Sequence, residues 1–516
     1  MTTANTKCFE KACQKENALL KRQLHDLQKK VNWFEEQFRL LRHKQYGPSS
    51  ERFEGQQAMF NEVEEALEAD AEAQEEAPNT EQITCQRKKP VRRPLSKDLP
   101  RQREVHDIPE EEKQCDCCGC ELHVIGEEIS EKLDIVPARA TVIEHVRLKY
   151  GCRGCETGVK TAPVPASPIP KSIATPGLLA WITISKYGDA LPLYRQVSIL
   201  KRMEVEISRA TLANWMVRTA ELLEPLYEAL KEKLLKQPAI MADETTVQVL
   251  KEEGREATAT SYMWLYRNAS HSQPVIIYEY QKGRGSEHPI RFLQDYRGYL
   301  QCDGYSAYKK LAREQTGITL VGCMAHARRK FKEAFDALPK SKQLATSKPG
   351  QMLALIRTLY AIEQRIKDNT PTEKCLSRQN DARPVMDKMK AWLEKQASKI
   401  TPKSKLGEAI RYMQNQWVYL ERYLDSGLVD IDNNASERAI KPFVMGRKGW
   451  LFSDTVAGAK SSAILYSLVE TAKQNGQEPY AWLRHVLTQL PSMSKGSDVT
   501  ELLPMNIQPE SLRYPQ

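Results

Sequence analysis

The stretch Ala239-Ile-Met-Ala-Asp243-Glu-Thr-Thr-Val-Gln-Val249-Leu250 decides the fold of the central part of this chain. It begins with a short apolar run, meets an acid at Asp243, and continues with β-branched residues, which favour strands. Four further apolar runs downstream have the length of strands: Tyr262–Tyr266, Pro274–Tyr278, Tyr299–Cys302 and Ile318–Val321. The last of them leads into a basic helix. Strands followed by a helix predict a ribonuclease-H-like α/β core.

Carboxylates end two of these predicted strands. Asp243 ends the first run, and Asp303 ends the fourth and is followed by Gly304, which lets a backbone or a phosphate approach closely. Acids at strand ends place oxygen ligands at the rim of a sheet. Phosphodiester chemistry uses such ligands to hold two Mg²⁺ ions about 4 Å apart. Either residue alone is more often a solvated or capping side chain.

Glu437 is the third candidate acid, and its sequence context allows two interpretations. Asn434 to Glu437 has the spacing of a capping box, in which the glutamate bonds only the start of a helix. Basic and aromatic residues follow, which favours a phosphate-contacting strand or loop beside a metal site. They are Arg438, Lys441, Arg447, Lys448 and Trp450.

A second basic cluster follows the last predicted core strand. Arg328, Arg329 and Lys330 lie in the helix that begins near Cys323, and the pattern fits either phosphate contact or a solvated face. His326 in the same helix is expected to be hydrogen-bonded within the core.

Helical patterns occupy the sequence on both sides of the core. Tyr194–Met203 is one predicted helix, and Ser208 is placed to cap a second that begins at Arg209. Two short helices around a tight turn resemble a DNA-binding helix-turn-helix, although any helical hairpin has this spacing. Helical periodicity also dominates residues 338–424, which predicts an insertion into the core, and Gly458–Leu490 near the end.

Two Cys-x-x-Cys pairs predict a zinc module. Cys115, Cys118, Cys152 and Cys155 supply four thiolates, which complete a tetrahedral structural site without an open position. The first pair has an alternative register at Cys117 and Cys120. The intervening stretch Leu133–Tyr150 is expected to form a hairpin, and buried reduced cysteines are the alternative to a metal site.

The N-terminal region predicts self-association and a charged linker. Leu20, Leu27, Phe34 and Leu41 fall at one heptad position, with Leu24, Val31 and Phe38 at the other, which indicates a short coiled coil or an amphipathic helix packed on its own chain. An acidic block (62–76) and a basic block (87–103) follow, as in solvated linkers. Proline residues between Thr161 and Pro176 predict an extended spacer.

Bulk composition sets limits on the class of protein. The 516 residues carry 76 Lys+Arg against 67 Asp+Glu, a net charge of +9, which permits a polyanionic partner. No apolar run has the length of a membrane span, and the N-terminus lacks the apolar segment of a signal peptide. Twelve cysteines are therefore expected as free thiols and metal ligands in a reducing cytoplasm.

Several of these motifs together resemble the large transposase of the insertion sequence 66 family. They occur in the family's order along nearly the whole chain: Tyr46-Gly-Pro-Ser-Ser-Glu-Arg52, the Cys-x-x-Cys-Gly knuckle at Cys115, Ser185–Arg195, Cys323–Phe331, Asp432–Arg438 and Gly446–Phe452. Tyr46 and Pro48 depart from the family's pattern, and Cys117 and Cys120 are extra cysteines in the knuckle. Neither departure touches the candidate acids.

The resemblance implies a DDE-type enzyme with the acidic triad Asp243, Asp303 and Glu437, which would bind Mg²⁺ or Mn²⁺, and structural Zn²⁺ on Cys115, Cys118, Cys152 and Cys155. It implies DNA as partner, both the element's terminal inverted repeats and target DNA. It also suggests small accessory proteins from the same element and a bacterial, nucleoid-associated location, and the coiled coil predicts a homodimer or higher oligomer. The residues predicted to contact DNA are Arg209, Arg328, Arg329, Lys330, Arg438, Lys441, Arg447, Lys448 and Trp450.

The expected architecture is multidomain, with α+β and all-α parts. In chain order it comprises a leucine-zipper-like coiled coil (15–45), a charged linker (46–110), a zinc-binding module (111–157), a proline-rich linker (158–177), a helical DNA-binding segment (178–236), the first part of a catalytic core (237–337), a helical insertion (338–424), the second part of the core with Glu437 (425–457) and a helical C-terminal region (458–516). The predicted function is cleavage and transfer of the element's strands. Two alternatives stay open: a zinc-containing dimeric DNA-binding regulator without catalysis, and a ribonuclease-H-like nuclease without strand transfer.

Overall fold

The structure is a computed structural model that describes residues 139–151, 159–270, 272–494 and 496–512, together with residues 21, 23, 27, 31 and 103. The four cysteines of the predicted zinc module and most of the predicted coiled coil lie outside the described residues. Leu27 and Val31 from the predicted heptad are helical and exposed. Within the described part, no helix is both long and apolar enough to cross a lipid bilayer.

The described chain begins with a small hairpin and three helices. The elements are β1 (Lys149–Gly151), β2 (Val159–Thr161), α1 (Pro176–Tyr187), α2 (Leu193–Arg202) and α3 (Arg209–Leu235). Ser208 caps α3 by accepting a hydrogen bond from the Thr211 amide, as its sequence position predicts. The hairpin predicted within Leu133–Tyr150 differs from the observed one, because β1 pairs with β2 across residues 152–158 and residues 139–148 contain no strand.

A central sheet follows, with connecting helices. Its elements are β3 (Ala239–Lys251), β4 (Thr260–Asn268), β5 (Ile276–Gln281), α4 (Glu287–Phe292), β6 (Gly298–Gln301), α5 (Ser306–Glu314), β7 (Ile318–Val321) and α6 (Met324–Asp336). The strand order is β5-β4-β3-β6-β7. β3 and β4 and then β4 and β5 pair antiparallel, whereas β3, β6 and β7 run parallel. The sheet is therefore mixed.

Residues 338–424 are helical, as their periodicity predicts. The helices are α7 (Lys348–Arg365), α8 (Pro371–Ser377), α9 (Arg383–Ala397) and α10 (Lys405–Glu421), with a π-helical turn at Arg378–Ala382. Their apolar faces form a second core together with α6 and with residues of the sheet such as Met241, and Met352, Met389 and Met413 are fully buried in it. The buried Arg378 ties this bundle together by donating to three backbone carbonyls and to Glu363.

The chain then returns to the sheet. It forms α11 (Asn434–Trp450), β8 (Ser453–Thr455), α12 (Val456–Gln474) and α13 (Pro479–Gln489). β8 adds in parallel to the last residues of β3. α12 packs between α3 and β5, and Ser467 and Thr471 accept hydrogen bonds from the β5 backbone amides of Tyr278 and Ile276. α1–α3, the sheet and the C-terminal helices share one apolar core.

Candidate active site

Strand register brings the ends of β6 and β7 level with the middle of β3. Met241 of β3 pairs with Gln301 of β6, and Gln301 pairs with Val321 of β7. The residues that lie two places further along the chain are Asp243 after Met241, Asp303 after Gln301 and Cys323 after Val321. Because parallel strands in register keep corresponding residues side by side, the two acids and the thiol form a row along this edge of the sheet.

Asp243 does not end its strand, contrary to the sequence prediction. It is the fifth of the thirteen residues of β3, because β4 continues to pair with β3 as far as Gln248. The parallel neighbour β6 stops at Gln301, so β3 passes its neighbour's end at the level of the acid. The sequence shows an apolar run that stops at an acid, but the stop reflects the end of the neighbouring strand.

Glu437 reaches this edge from the first turn of α11. It is 3% exposed, and neither of its carboxylate oxygens has a hydrogen-bond partner. The N-cap of α11 is Asn433, without a side-chain capping bond, so the capping box predicted as the alternative is wrong. The basic flank is also not a strand or loop, because the helix continues to Trp450 despite Pro442 within it.

The segment before α11, residues 430–433, is hydrogen-bonded to β3, to β6 and to the start of α6, which follows β7. Asn433 donates from Nδ2 to the Ala242 carbonyl (2.9 Å), directly before Asp243. Gln301 donates from Nε2 to the Asp430 carbonyl (2.6 Å), and the Met324 amide donates to the Ile431 carbonyl (3.1 Å). These bonds fix the start of α11 against β3, β6 and β7. They therefore hold Glu437 over the row of acids although 133 residues separate it from Asp303 (437 − 303 − 1).

Neighbouring carboxylates act on the pKa values of Asp243 and Glu437. Burial raises the pKa of Asp243 well above its usual range, and Glu244, Glu437 and Asp303 raise it further. Burial also raises the pKa of Glu437 to about 7; Arg329 and Arg438 oppose this rise, and Asp432 and Asp303 add to it. Negative charges that are buried together disfavour ionisation, and a bound cation reverses that effect.

His326 and Arg329 of α6 face Glu437 from the other side. The distance from His326 Nδ1 to Glu437 Oε1 is 3.6 Å, and that from Arg329 Nη2 to Glu437 Oε2 is 3.9 Å. His326 Nδ1 has no hydrogen-bond partner, so the predicted core hydrogen bond at this atom is not formed. Burial lowers the pKa of His326 to about 4, and Arg329 acts in the same direction, so the imidazole is neutral at pH 7.

Glu244 sits beside the acids but is satisfied by its own partners. It accepts hydrogen bonds from Arg284 Nε (2.8 Å) and from Tyr308 Oη (2.7 Å). The Arg284 guanidinium lies 3.9 Å from the centroid of the Tyr305 ring. Burial nevertheless raises the pKa of Glu244, with Asp303 contributing. Sequence analysis did not single out this network, since Arg284 lies in a loop 40 residues downstream.

Gly304 lies close to a side chain of the helical bundle. A Cβ at this position would lie 2.5 Å from Nε2 of Gln416, a buried side chain of α10. A larger residue at 304 would therefore require this side-chain amide to move. Asp303 itself accepts a hydrogen bond at Oδ1 from the Tyr305 amide (2.9 Å).

The residues predicted to contact DNA fall into two groups. Arg209, Arg438 and Lys448 are exposed, and Arg328, Lys330 and Lys441 are half-buried. The remaining three are also half-buried and have specific contacts within the fold. Arg329 faces Glu437, Arg447 donates to the hydroxyls of Thr245 (3.3 Å) and Thr246 (2.9 Å), and Trp450 packs edge-on against Phe443 with the ring centroids 5.5 Å apart.

Comparison with known proteins places the molecule in a class. Residues 171–461 match the model of the "Transposase IS66 family", and residues 112–156 match the "zinc-finger binding domain of transposase IS66". Residues 467–505 match the "IS66 C-terminal element", and residues 33–103 match the "Transposase C of IS166 homeodomain". These matches define a transposase with a zinc-finger domain and DNA as its partner.

The chain belongs to the IS66 transposase family. Related proteins occur in Sinorhizobium fredii (strain NBRC 101917 / NGR234). "Uncharacterized protein y4jD" is 36% identical over 423 residues, which cover 80% of this chain and 81% of the relative. "Uncharacterized protein y4qI" is 36% identical over 419 residues, with 79% and 76% covered. "Uncharacterized protein y4hP" is 32% identical over 444 residues, with 83% and 79% covered.

Proposed function

We propose that this transposase cleaves the ends of its element and joins them to target DNA with Asp243, Asp303 and Glu437 as a DDE-type triad in a ribonuclease-H-like core. The observation that carries the proposal is the state of Glu437, whose two oxygens are buried without any hydrogen-bond donor. A buried carboxylate without hydrogen-bond donors is unfavourable, and Arg329, 3.9 Å from Oε2, compensates its charge only in part, because the pKa of Glu437 is still raised to about 7.

The donor set fits hard divalent cations. Three carboxylates offer oxygen ligands only, which is the preference of Mg²⁺ and, among transition metals, of Mn²⁺. Bound ions of this kind supply the charge that activates an attacking oxygen and stabilises a leaving oxygen in phosphodiester chemistry. A bound cation would also favour the ionised forms of Asp243 and Glu437, whose pKa values the fold by itself raises.

The residues of the chain then hold and orient the reacting strand. Asp243 and Asp303 present oxygens from the rigid sheet edge, and Glu437 presents them from the start of α11. Arg329 places a positive charge beside Glu437, where a phosphate would also be attracted. The bundle of α7–α10 closes one side of this edge through Gln416, which limits access of water.

Recognition of the DNA involves other parts of the chain. We infer that the α2–α3 hairpin, with Arg209 at its second helix, and the zinc module on Cys115, Cys118, Cys152 and Cys155 bind the terminal inverted repeats. Arg438, Lys441, Lys448 and the α6 pair Arg328 and Lys330 contact phosphates beside the acids. The N-terminal coiled coil pairs two protomers, small accessory proteins assist, and the enzyme works on the bacterial nucleoid.

A labelled-end assay tests the proposal. Duplex DNA with a terminal repeat is incubated with the full chain, target DNA and Mg²⁺, and cleaved and joined strands are separated. Asp243→Asn is expected to bind the end DNA normally and to produce neither product. Asp454→Asn is the matched control, because Asp454 lies in β8 beside the far end of β3 and forms an exposed ion pair with Lys251 (2.8 Å). It is expected to retain both activities.

The same assay separates the alternatives. Cleavage without joining by the wild type would indicate a ribonuclease-H-like nuclease. Binding without cleavage at any Mg²⁺ concentration would indicate a regulator. Joining by Asp243→Asn at the wild-type rate would refute the assignment of the triad.

A further inference from the structure

A cysteine thiol and a histidine ring nitrogen lie beside Glu437, and neither belongs to the proposed DDE triad. Cys323 lies two residues after Val321, the last residue of β7. This is the same level at which Asp243 lies in β3 and Asp303 follows β6. His326 follows one turn later in α6. The Cys323 thiol, a ring nitrogen of His326 and a Glu437 oxygen all lie within 4.8 Å of one another.

The fold holds these groups in place without satisfying them. Cys323 is the N-cap of α6, and its Sγ accepts a hydrogen bond from the Asn433 amide (3.2 Å). Burial raises the pKa of the Cys323 thiol, and the carboxylates of Asp432 and Glu437 raise it further, so the fold without a cation does not favour the thiolate. His326 Nδ1 and both oxygens of Glu437 are buried without hydrogen-bond partners, which is rare for polar atoms in a protein interior. A ligand that accepts lone pairs from all three groups would resolve this.

We propose that Cys323, His326 and Glu437 form a transition-metal site of the zinc class, adjacent to the proposed Mg²⁺ site and sharing Glu437 with it. One thiolate, one imidazole and one carboxylate are the donors that Zn²⁺ and Co²⁺ accept, whereas Mg²⁺ avoids sulfur and nitrogen. Three protein ligands leave a fourth position open. Zinc sites with an open position bind water or a substrate oxygen there, unlike the closed four-thiolate zinc module.

The geometry around Glu437 leaves one oxygen for this ion. Arg329 is nearer to Oε2, and His326 is nearer to Oε1, so the arginine and the metal take different oxygens. Because one carboxylate then serves two sites, zinc-class ions and Mg²⁺ compete for it. Excess Zn²⁺ is therefore expected to inhibit the proposed strand cleavage in the wild type.

Cobalt binding to the full chain tests the proposal without relying on catalysis. The reduced protein is exchanged into Co²⁺, bound cobalt is measured after gel filtration, and the thiolate-to-cobalt absorption is recorded. The wild type is expected to hold about two ions per chain, one in the zinc module and one at Cys323. Cys323→Ser and His326→Gln are each expected to hold about one.

Three comparisons make the result specific. Cys375→Ser, which changes a half-buried free cysteine in the helical bundle, is expected to keep the wild-type cobalt content. Asp243→Asn is expected to keep it as well, so failure of the triad assignment and failure of this site are distinguishable. Circular dichroism shows whether each variant is folded, and His326→Gln removes no hydrogen bond to Nδ1. Wild-type cobalt content in folded His326→Gln and Cys323→Ser would overturn the proposal, as would loss of the second ion from Asp243→Asn.

Discussion

Glu252 and Glu437 are two buried glutamates with opposite surroundings. Glu252 follows the far end of β3 and is 4% exposed, and Glu437 lies near Asp243 and is 3% exposed. Glu252 accepts hydrogen bonds from Tyr280, from Ser261 (3.1 Å) and from Arg255 (2.6 Å). Burial alone would raise the pKa of Glu252, but these donors outweigh it and the pKa is lowered.

Glu437 is equally inaccessible to solvent but lies deeper within the protein; it has no donors within hydrogen-bond distance, and its pKa is raised to about 7. The difference separates a structural carboxylate from one kept for a ligand. A fold that needed only a stable carboxylate at 437 would supply hydrogen bonds, as it does at 252. Leaving Glu437 unpaired costs stability, which is common where function requires a strained or unsatisfied group.

The largest expected effect is on strand cleavage. Glu437→Gln should lower the rate of Mg²⁺-dependent cleavage by at least about 10³-fold, because a neutral amide is a poor ligand for a divalent ion. Glu252→Gln, the matched control, should change the rate less than about threefold once the protein is folded. Single-turnover cleavage of labelled end DNA gives both rates. Equal losses in the two variants would remove the functional contrast between the glutamates.

A smaller loss of activity is expected when Glu437 is displaced and not removed. Asn433→Ala breaks the bond to the Ala242 carbonyl, which joins the strand of Asp243 to the helix of Glu437. We expect cleavage to fall about 10- to 100-fold with unchanged binding of end DNA, as for residues that orient metal ligands. Asn475→Ala is the control, since Asn475 also donates to backbone carbonyls but at the end of α12. Full activity of Asn433→Ala would show that this bond does not position the acid.

Stability should change in opposite directions at the two glutamates. At pH 8 without metal, Glu252→Gln is expected to lower the free energy of unfolding by about 1–3 kcal/mol, because it weakens bonds to Tyr280, Ser261 and Arg255. Glu437→Gln is expected to raise it by about 1–2 kcal/mol, since it removes an unpaired buried charge. Thermal unfolding in EDTA-free, metal-depleted buffer measures both shifts. Destabilisation by Glu437→Gln would mean that the carboxylate is satisfied in the folded protein.

The smallest effect is on the pH dependence of stability. The pKa of Glu437 is higher in the folded chain than in the unfolded chain, so the folded state binds the extra proton between about pH 4.5 and 7. Its contribution therefore favours folding at low pH and is lost as the pH rises through about 7. The wild type should lose more stability than Glu437→Gln from pH 5 to pH 8, and Mg²⁺ should restore part of it at pH 8. Parallel pH profiles of the two proteins would contradict this.

The sequence was sufficient to predict the strands but not which strands pair or where their pairing ends. The apolar and β-branched runs predicted β3–β7, and Ser208 predicted the start of α3, since these signals are local. The position of Asp243 within β3 depends on where β6 ends, which is a property of pairing. The helical form of residues 438–450 was missed because Gly446, Gly449 and Pro442 weaken the local pattern.

The candidate site was predicted in part and by resemblance. Asp243 and Asp303 were predicted from their places after apolar runs and Glu437 from its basic flank, and the resemblance groups the three as a triad. Strand register relates the two aspartates, and charge effects relate Asp243 to both other acids. The site role of Cys323, the unpaired state of Glu437 and the clamp by Asn433 could not be derived from spacing. All three depend on contacts between segments about 100 or more residues apart. The Asp-Asn-Asn run before Glu437 was the one available signal for the clamp.

The most direct measurement is anomalous X-ray scattering from crystals of the full chain bound to end DNA and Mn²⁺. The account predicts an anomalous peak within coordination distance of Asp243, Asp303 and Glu437 together, and none there in Glu437→Gln. Ordered Mn²⁺ elsewhere in the crystal, with the Glu437 carboxylate still without a cation and remote from the two aspartates, would contradict it.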